Sequence, residues 1–284
     1  MSAVTQLPDF IYAGPPRSGS TWLDQVLRGH AGLPRRIKET RFFTTNYHRG
    51  IDWYRAHFAG YPPGLPLGEV TTYFDHQEVR ERIHAHIPEC RIICTLRDPV
   101  KRIWSHYCQL RHEGWIGRRT LAEALAAHEK WIDTAGNLIG LNRYAYHLGE
   151  WQRYFGEQRV MVTIFDDLEA DPQQFLDHIC DFIGLARIDL ERSPVGGAAV
   201  NKMTHAPRSP HLARRVRRLR QKMQRRGMYR LVELCEPLFE FCFSGGEPFG
   251  RIDPATEKAL RARFRPEVEA LERLIGRDLT AWKG

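Results

Sequence analysis

Short apolar runs that alternate with helix-like segments set the pattern of this chain. Three runs rich in β-branched or aromatic residues predict buried strands: Phe10 to Ala13, Arg91 to Leu96 and Val160 to Phe165. Gly68 to Phe74 predicts a weaker fourth strand. The helix-like segments are Ser20 to Gly29, Gln77 to Ala85, Val100 to Arg111, Leu121 to Glu129, Tyr144 to Phe155 and Pro172 to Ile183. This alternation predicts an α/β fold with a mostly parallel central sheet flanked by helices.

The last part of the chain, from about Arg208, has mostly helical patterns. No internal repeat and no low-complexity linker interrupts the sequence. We therefore expect a single domain over residues 1–284, in which about 208–284 forms a mainly helical C-terminal extension.

Composition narrows the class of protein. Of the 284 residues, 42% are hydrophobic and 27% are charged, which is typical of a soluble globular protein and not of a disordered or fibrous chain. No run approaches the ~18 consecutive apolar residues of a membrane helix, and the first residues lack the pattern of a signal peptide. Six cysteines without a CxxC pair argue against a zinc site or a disulfide scaffold, so we expect a cytoplasmic protein.

The net charge of +8 comes from one region between His211 and Arg230. This region has no acidic residue before Arg230, and its nine cations are Arg214, Arg215, Arg217, Arg218, Arg220, Lys222, Arg225, Arg226 and Arg230. An apolar stripe at helical spacing predicts an amphipathic surface helix here: Leu212, Val216, Leu219 and Met223. Two interpretations stay open, a solvated outer face and a docking surface for an acidic partner, an acidic substrate or an anionic membrane face.

A glycine-rich turn, GPPRSGST from Gly14 to Thr21, follows the first predicted strand. Such a turn from a strand into a helix directs backbone N–H groups and the helix dipole at an anion. Gly14 and Gly19 match the first and last glycines of the P-loop pattern GxxxxGK[ST], which predicts a P-loop-like three-layer fold. Ser20 stands where that pattern has Lys, and the positive charge lies inside the loop at Arg17. An ordinary strand–helix turn is the alternative interpretation.

The string PPRSGSTWL resembles the 5′-phosphosulfate loop of the sulfotransferases that use 3′-phosphoadenosine 5′-phosphosulfate (PAPS). The resemblance implies that this loop wraps the 5′-phosphate and its bridging oxygen. The residues that it assigns to PAPS binding are Arg17, Ser18, Gly19, Ser20, Thr21 and Trp22. Arg17 in place of the commoner Lys keeps the charge and is a poor proton donor.

The segment RDPVKRIWSHY after the third strand resembles the 3′-phosphate signature of the same family. The resemblance implies that Arg97, at the end of a strand, and Ser105, in the next helix, hold the phosphate that distinguishes PAPS from ATP. Taken alone, a serine inside a helix is usually only a tolerated polar residue. The two motifs, however, occur in the family's order and each follows a predicted strand.

The segment KETRFF, from Lys38 to Phe43, resembles the Glu-x-His-Phe-Phe element of heparan sulfate sulfotransferases and related bacterial enzymes. There the Glu deprotonates the acceptor hydroxyl, which implies Glu39 as the general base. Lys38 is the second catalytic candidate, as a nearby charge, and Arg17 the third, as a group that stabilises the departing phosphate. A Lys–Glu pair is otherwise typical of solvated surface. Arg41 departs from the family pattern, in which His is common.

Two further segments resemble parts of the family that contact the nucleotide. VMVTIFDDLEADP, from Val160, resembles a strand that ends near the adenine, which implies that Phe165 contacts that base. NKMTHAPRSPHL, from Asn201, resembles the loop that covers the nucleotide, which implies that Arg208 reaches the 3′-phosphate. For both, a purely structural loop is the alternative.

These resemblances predict in-line transfer of a sulfuryl group from PAPS to a hydroxyl or amine of a carbohydrate or small natural product. The product nucleotide would be adenosine 3′,5′-bisphosphate (PAP). We expect no metal, because the loop lacks the usual P-loop arrangement for magnesium and no ligand cluster stands out. Two alternatives stay open: a P-loop kinase of a small metabolite, and a non-catalytic binder of anionic partners that uses the arginine-rich helix. Nucleic acid is not the expected partner.

Overall fold

The structure is a computed structural model that describes residues 7–127, 138–193, 195, 204–225, 228–243 and 245–284. Its strands are β1 (Phe10–Tyr12), β2 (Gly68–Val70), β3 (Arg91–Leu96), β4 (Val160–Ile164), β5 (His205–Pro207) and β6 (Gly245–Pro248). Its helices are α1 (Ser20–Leu27), α2 (Ile51–Arg55), α3 (Gln77–His86), α4 (Pro99–His112), α5 (Leu121–Ala127), α6 (Tyr144–Phe155), α7 (Phe165–Ala170), α8 (Pro172–Ile183), α9 (Pro210–Arg225), α10 (Tyr229–Leu234), α11 (Glu236–Phe243) and α12 (Pro254–Ile275).

Four parallel strands form the main sheet in the order β2-β1-β3-β4. The central strand β1 pairs on one side with β2, where Phe10 lies opposite Gly68, and on the other with β3, where Tyr12 lies opposite Ile93. Each residue of β1 is buried, as expected for a parallel strand covered on both faces. The predicted α/β fold with a central parallel sheet is confirmed.

The chain folds into two compact units. The first consists of Met1–Asp98, Arg143–Asn201 and Glu267–Asp278, and the second of Pro99–Asn142, Lys202–Pro266 and Leu279–Gly284. The boundary near the C-terminus therefore falls inside α12, directly after Pro266. The expectation of one domain over residues 1–284 stays a prediction.

The first unit contains the main sheet. Helices α1 and α8 pack on the face that presents Phe10, Tyr12 and Ile93, and Trp22 and Ile179 complete that part of the core. Helix α6 packs against β3 and β4. Residues that alternate with Ile93 along β3 are buried as well, so side chains cover both faces of the sheet.

The second unit is mainly helical. Helices α4 and α5 share an apolar core with the first part of α12, and α9 packs against α10 and α11 around a separate core. An antiparallel pair, β5 and β6, accompanies these helices. The sequence did not predict this pair, because HAP and GGEP are short and show no apolar alternation. The backbones of β5 and β6 lie close together, since a Cβ on Gly246 would be 2.4 Å from the backbone oxygen of Ala206.

Several predicted boundaries need correction. Strand β1 ends at Tyr12, β2 at Val70 and β4 at Ile164, each earlier than the apolar pattern indicated. At β4 the cause is local: Phe165 already begins α7, whose first turn carries Asp166 and Asp167, and acids favour a helix N-terminus. Helix α1 ends at Leu27 instead of Gly29. The predicted end of α5, at residues 128–129, lies outside the described residues.

The apolar stripe predicted for α9 is wrong in part. Leu212 and Leu219 are exposed, whereas the helix turns Ala213 and Met223 inward, with Val216 partly buried beside them. The helical spacing was right, but the buried side of the helix is centred between Ala213 and Met223, so Leu212 and Leu219 lie at its exposed edge.

Candidate functional site

The glycine-rich turn joins β1 to α1 in the first unit. Helix α1 begins at Ser20, and Gly19 caps it in the left-handed conformation with φ 93°. A side chain on Gly14 would lie 2.7 Å from the hydroxyl of Tyr12 and 3.0 Å from the backbone nitrogen of Thr95. Gly14 therefore lets the loop pass close to β3, and the N-terminus of α1 opens directly behind the loop.

Two arginines adopt positive φ, a conformation that costs a non-glycine residue of order 1–3 kcal/mol. Within the described part of the chain they are the non-glycine residues that do so: Arg17 with φ 72° and Arg41 with φ 49°. Arg17 lies in the glycine-rich loop, and Arg41 lies two residues after Glu39. Both are therefore at segments for which the sequence predicted chemistry.

Tyr12, on β1, stabilises the loop through a hydrogen bond. Its buried hydroxyl donates a hydrogen bond of 3.0 Å to the backbone oxygen of Ser18. Burial raises the pKa of Tyr12, so the hydroxyl keeps its proton and remains a donor. Ser18 itself is buried, and its Oγ has no hydrogen-bond partner among the described residues.

Arg97 reaches the same loop from the end of β3. Its Nη1 donates to the backbone oxygen of Arg17 at 3.0 Å, and its guanidinium lies 4.3 Å from the ring centre of Phe165. Tyr144 donates to the backbone oxygen of Arg97 at 2.9 Å and fixes the strand end. The Nε of Arg97 is buried without a partner among the described residues. The loop and Arg97, predicted from two separate motifs, therefore lie in contact.

Lys38 brings a second cation to the start of α1. Its Nζ donates to Ser20 Oγ and to Thr21 Oγ1, each at 3.2 Å. The loop lacks the lysine of the P-loop pattern, but an ammonium group from a distant segment contacts the hydroxyls at that position. The sequence indicated Lys38 as a nearby charge, and nothing in it predicted this contact, because 17 to 18 residues separate the partners.

Glu39 lies beside these cations. One carboxylate oxygen is 3.6 Å from Lys38 Nζ, and the other accepts from Nε and Nη2 of Arg41 at 3.4 Å. The side chain is about one-fifth exposed, so solvent or an acceptor molecule reaches it. Lys38 thus links the carboxylate to the loop, and Arg41, which replaces the family's usual His, orients it from the opposite side.

A fully buried carboxylate that sequence reasoning missed supports this segment. Glu69, on β2, accepts hydrogen bonds from the backbone nitrogen of Thr40 at 2.8 Å and from Thr40 Oγ1 at 2.7 Å. Thr71 and Tyr54 donate to the same carboxylate at 2.6 and 2.8 Å. An acidic residue inside the strand pattern GEVTTYF was the available signal, since a carboxylate is rarely buried without several donors.

Phe165 and Trp22, both predicted to contact the nucleotide, pack against parts of the first unit, and the contact of Phe165 with the adenine stays a prediction. The ring of Phe165 lies under the loop, 3.4 Å from where a Gly19 side chain would begin. Trp22 is only 3% exposed and packs edge-on against Phe175, with ring centres 6.0 Å apart. Its indole serves the core, and its contact with the nucleotide stays a prediction.

Ser105 and Arg208 belong to the second unit. Ser105 is half-buried in α4, and Arg208 is exposed and donates from Nε to the backbone oxygen of Gly245 at 3.0 Å. In the same signature, Arg102 is fully buried and donates to Asn142 Oδ1 and to the backbone oxygen of Leu138, each at 2.7 Å. Arg102 is therefore a structural residue, and the phosphate contacts of Ser105 and Arg208 stay predictions.

Two features of other kinds of site are absent from the described residues. In the described ranges, no group of three or more His, Cys, Asp or Glu residues is arranged to hold a metal ion. Across those same ranges, no helix combines the length and apolar character needed to span a bilayer. The expectation that the reaction needs no metal stays a prediction.

Known proteins similar to this chain agree with the motifs. A family model described as "Sulfotransferase domain" matches residues 7–195. Heparan sulfate glucosamine 3-O-sulfotransferase 6 of Mus musculus is 31% identical over 190 residues, which cover 64% of this chain and 54% of the relative. The bifunctional heparan sulfate N-deacetylase/N-sulfotransferase of Drosophila melanogaster is 27% identical over 204 residues, or 62% of this chain and 20% of that protein. The chain thus spans about half the length of the first of these relatives.

A solved structure supports the fold. The crystal structure of a sulfotransferase from Alicyclobacillus acidocaldarius superposes with a TM-score of 0.71 at 22% identity, covering 98% of this chain and all of the other. The matched range 7–195 is more than half of the chain and contains the glycine-rich loop, Lys38, Glu39 and Arg97. By that match, and with its loop and third strand arranged as described, this chain is a member of the sulfotransferase family.

Proposed function

We propose that the protein transfers a sulfuryl group from PAPS to a hydroxyl or amine of an acceptor. The observation that supports this most directly is the meeting of the glycine-rich loop with Arg97 and Lys38, which come from two other segments. Backbone amides, a helix N-terminus and two cations at one loop form a preorganised anion site.

The residues present fit a phosphorylated nucleotide. Ser18 Oγ and Arg97 Nε are buried, and neither has a hydrogen-bond partner in the part of the chain that the structure describes. Buried polar groups normally are satisfied, so these two atoms are candidates to contact a bound anion. A Cβ on Gly14 would meet Tyr12 at 2.7 Å and one on Gly19 would meet Leu168 at 3.2 Å, so glycine at both positions lets the loop take this path.

Each residue at the loop then has a role. When bound, PAPS supplies the sulfuryl group and a nucleotide leaving group. Arg17, Lys38 and the loop amides hold the negative charge that develops at the 5′-phosphate, and Lys38 also orients the hydroxyls of Ser20 and Thr21. Glu39 accepts the proton of the acceptor hydroxyl as the new bond to sulfur forms. Arg97 holds the 3′-phosphate, with Ser105 and Arg208 as its proposed partners.

A carbohydrate is the proposed acceptor class. The relatives with heparan sulfate in their names support this choice. Phe42 and Tyr54, which follow the Glu39 segment, stack with ring centres 4.6 Å apart and are buried, so they belong to the core. Trp53, 6.2 Å from Phe42, is half-buried and is the ring of this cluster that keeps some surface for a sugar.

Two measurements test the proposal. The first is incorporation of labelled sulfate from PAPS into a panel of polysaccharides, oligosaccharides and small phenols, with the Glu39→Gln variant beside the wild type. The expected result is turnover by the wild type that Glu39→Gln abolishes, with nucleotide affinity nearly unchanged. The matched control is Glu191→Gln, an exposed glutamate on another turn, which should keep wild-type rates. Near-native turnover by Glu39→Gln would remove Glu39 from the mechanism.

The second measurement separates sulfotransferase from kinase. Lys38 supplies the ammonium group that the loop sequence lacks, so the absence of a loop lysine is a weaker argument against a kinase than the sequence indicated. Calorimetry should show that PAP binds far more tightly than AMP or ATP. ATP binding that requires magnesium, without a preference for the 3′-phosphate, would favour the kinase.

A cytoplasmic location is part of the proposal. All six cysteines are free, and Cys90, Cys94, Cys108 and Cys180 among them are buried. Free thiols in these numbers suit a reducing compartment. Cell fractionation with an antibody to the chain tests the location, and recovery only in an oxidising compartment would contradict it.

A further inference from the structure

Exposed apolar side chains concentrate in three consecutive helices of the second unit, α9, α10 and α11. Eight large apolar residues are exposed in the described part of the chain, and six of them lie between positions 212 and 241. These six are Leu212, Leu219, Leu231, Leu234, Leu238 and Phe241, and their exposed fractions run from 46% to 77%. A single exposed leucine needs no explanation, but such a concentration marks an interaction surface.

The cations of α9 fall into two groups. Arg217 forms an ion pair with Glu113, Arg220 pairs with Glu236 at 2.8 Å, and Arg214 lies over the ring of Trp115. This first group holds the helix within the second unit. The second group, Arg215, Arg218 and Lys222, is exposed and forms no ion pair with those residues whose side chains the structure describes.

The exposed cations and leucines of α9 share one face. Positions 212, 215, 219 and 222 are spaced by three, four and three residues, so Leu212 and Leu219 alternate with Arg215 and Lys222 along one side of the helix. The helix packs through the adjacent positions Ala213 and Met223, which are buried, so the exposed face lies beside the packed one. A helix face that mixes leucines with basic residues is the pattern of a segment that lies at a membrane–water interface.

Helices α10 and α11 add an apolar stripe. Leu231, Leu234 and Leu238 are spaced by three and four residues and are all exposed. The core between the helices is made by other residues, with Val232 and Phe239 packed against α9. The exposed leucines are therefore not needed to hold the helices together.

We propose that the basic apolar surface formed by α9, α10 and α11 docks on an anionic lipid bilayer surface. The three exposed cations attract anionic headgroups, and the leucines provide the apolar area that inserts among them. A polyanion such as nucleic acid or a sulfated glycan would use the cations but not the leucines. A second copy of the chain would bring a second α9 of the same charge to the interface, which is unfavourable. The inference stands independently of the proposed sulfuryl transfer.

The test is co-sedimentation of the full chain with lipid vesicles, either neutral phosphatidylcholine or phosphatidylcholine mixed with phosphatidylglycerol. The wild type should bind the anionic vesicles and bind less as salt is raised, because screening weakens headgroup attraction. The variants Arg215→Glu/Arg218→Glu/Lys222→Glu and Leu234→Ser/Leu238→Ser should each reduce binding by about tenfold or more. The control Lys258→Glu/Arg263→Glu/Arg265→Glu reverses as many exposed charges on α12 and should bind within about twofold of the wild type.

Every other outcome would overturn the proposal. Equal loss in the α12 control would mean that only net charge matters. Retention on heparin without vesicle binding would indicate a polyanion partner, and a dimer that Leu234→Ser/Leu238→Ser dissociates, again without vesicle binding, would indicate an interface between copies. Affinity for PAP is measured in parallel: unchanged values show that the variants are folded and that failure here leaves the proposed transferase activity intact.

Discussion

The carboxylate of Glu69 accepts two hydrogen bonds from Thr40, one from its backbone nitrogen and one from its hydroxyl, and it is fully buried. Thr40 directly follows Glu39 in the chain. Thr40 Oγ1 also accepts a hydrogen bond from the backbone nitrogen of Phe42 at 3.1 Å. The hydroxyl therefore fixes the part of the chain that directly follows the proposed base. Glu69 is therefore a positioning residue for Glu39, acting through Thr40.

Thr40→Val tests this relationship with little change in volume. The variant loses the hydroxyl bond to Glu69 and leaves the nitrogen of Phe42 without its acceptor, so Glu39 should lose its fixed position. We expect kcat to fall by about 10- to 100-fold, since small misplacements of a catalytic group are costly. Affinity for PAP should stay nearly unchanged. Steady-state kinetics and calorimetry measure the two quantities.

The matched control is Thr71→Val. Thr71 also donates one hydroxyl hydrogen bond to Glu69, at 2.6 Å, but it is not part of the segment that carries Glu39. Thr71→Val should lower the free energy of unfolding by about 1 kcal/mol, the typical value of one hydrogen bond, and Thr40→Val by about 2 kcal/mol, because it removes two. Only Thr40→Val should reduce kcat strongly. Equal loss of kcat in both would mean that the network contributes stability alone.

Lys38 should contribute to nucleotide affinity through the hydroxyls of Ser20 and Thr21. Lys38→Ala removes a charged donor from two hydrogen bonds, each of 3.2 Å. We expect the Kd for PAP to rise by about 10- to 100-fold, because charged hydrogen bonds contribute about 1.5–3 kcal/mol. Arg36→Ala removes one exposed positive charge two residues away and is the control. If both variants weaken PAP binding to a similar extent, Lys38 acts only by long-range attraction between its charge and the nucleotide.

The sequence predicted the frame of the fold and missed what connects its segments. Strand β3 and helices α6 and α8 begin and end at, or within a residue of, the predicted positions, because buried strands and amphipathic helices leave periodic patterns. The strands β5 and β6 leave no such pattern. Motifs likewise indicated Arg17 and Arg97, whereas the contacts of Lys38 with α1 and of Glu69 with Thr40 join residues 17 to 29 positions apart. Local spacing contains no information on such pairs.

Arg97 should determine the preference for a nucleotide with a 3′-phosphate. Its guanidinium is held against the loop by the oxygen of Arg17 and by the ring of Phe165. Arg97→Ala should raise the Kd for PAP by at least about tenfold more than it raises the Kd for AMP, because both nucleotides use the loop that Arg97 contacts and only PAP has the 3′-phosphate. Arg91→Ala, at the opposite end of the same strand, is the control and should bind PAP normally. Retained discrimination between PAP and AMP in Arg97→Ala would assign the 3′-phosphate to other residues.

Gly14 should be required for the shape of the loop, whereas Gly149, inside α6, should tolerate a side chain. In Gly14→Ala the new methyl group would meet the hydroxyl of Tyr12 at 2.7 Å, so the loop or β3 has to shift. We expect a loss of about 1–3 kcal/mol in the free energy of unfolding, together with weaker PAP binding. At Gly149, inside α6, an alanine methyl group would meet no neighbouring atom within 4 Å. Gly149→Ala should therefore stabilise the protein by about 0.5–1 kcal/mol, since alanine favours a helix.

Thermal and urea unfolding of both variants measures this contrast. If Gly14→Ala keeps the wild-type stability and PAP affinity, the loop can move away from β3 without loss, and Gly14 is not required for its shape. Destabilisation by Gly149→Ala would contradict the open surroundings of this helix position.

Burial also makes Glu69 a source of pH-dependent stability. Desolvation raises the pKa of its carboxyl above the ordinary 4.5, although the bonds from Thr71, Thr40 and Tyr54 oppose the shift. The folded protein therefore binds this proton more tightly than the unfolded chain does. The stability that Glu69 contributes relative to Glu69→Gln is then fully present below pH 4.5 and is lost as the pH rises through the raised pKa.

Urea unfolding of the wild type and Glu69→Gln from acid to neutral pH should show this decline, by about 1.4 kcal/mol for each unit of pKa difference. Thr71→Val removes one of the bonds that lower the pKa, so its decline should extend to higher pH. A difference between wild type and Glu69→Gln that instead grows with pH would mean that the hydrogen bonds outweigh desolvation. In that case Glu69 accepts the hydrogen bonds of Thr40 as a fully ionised carboxylate. Protonation in acid should weaken these bonds, so that Glu39 loses its fixed position and kcat falls.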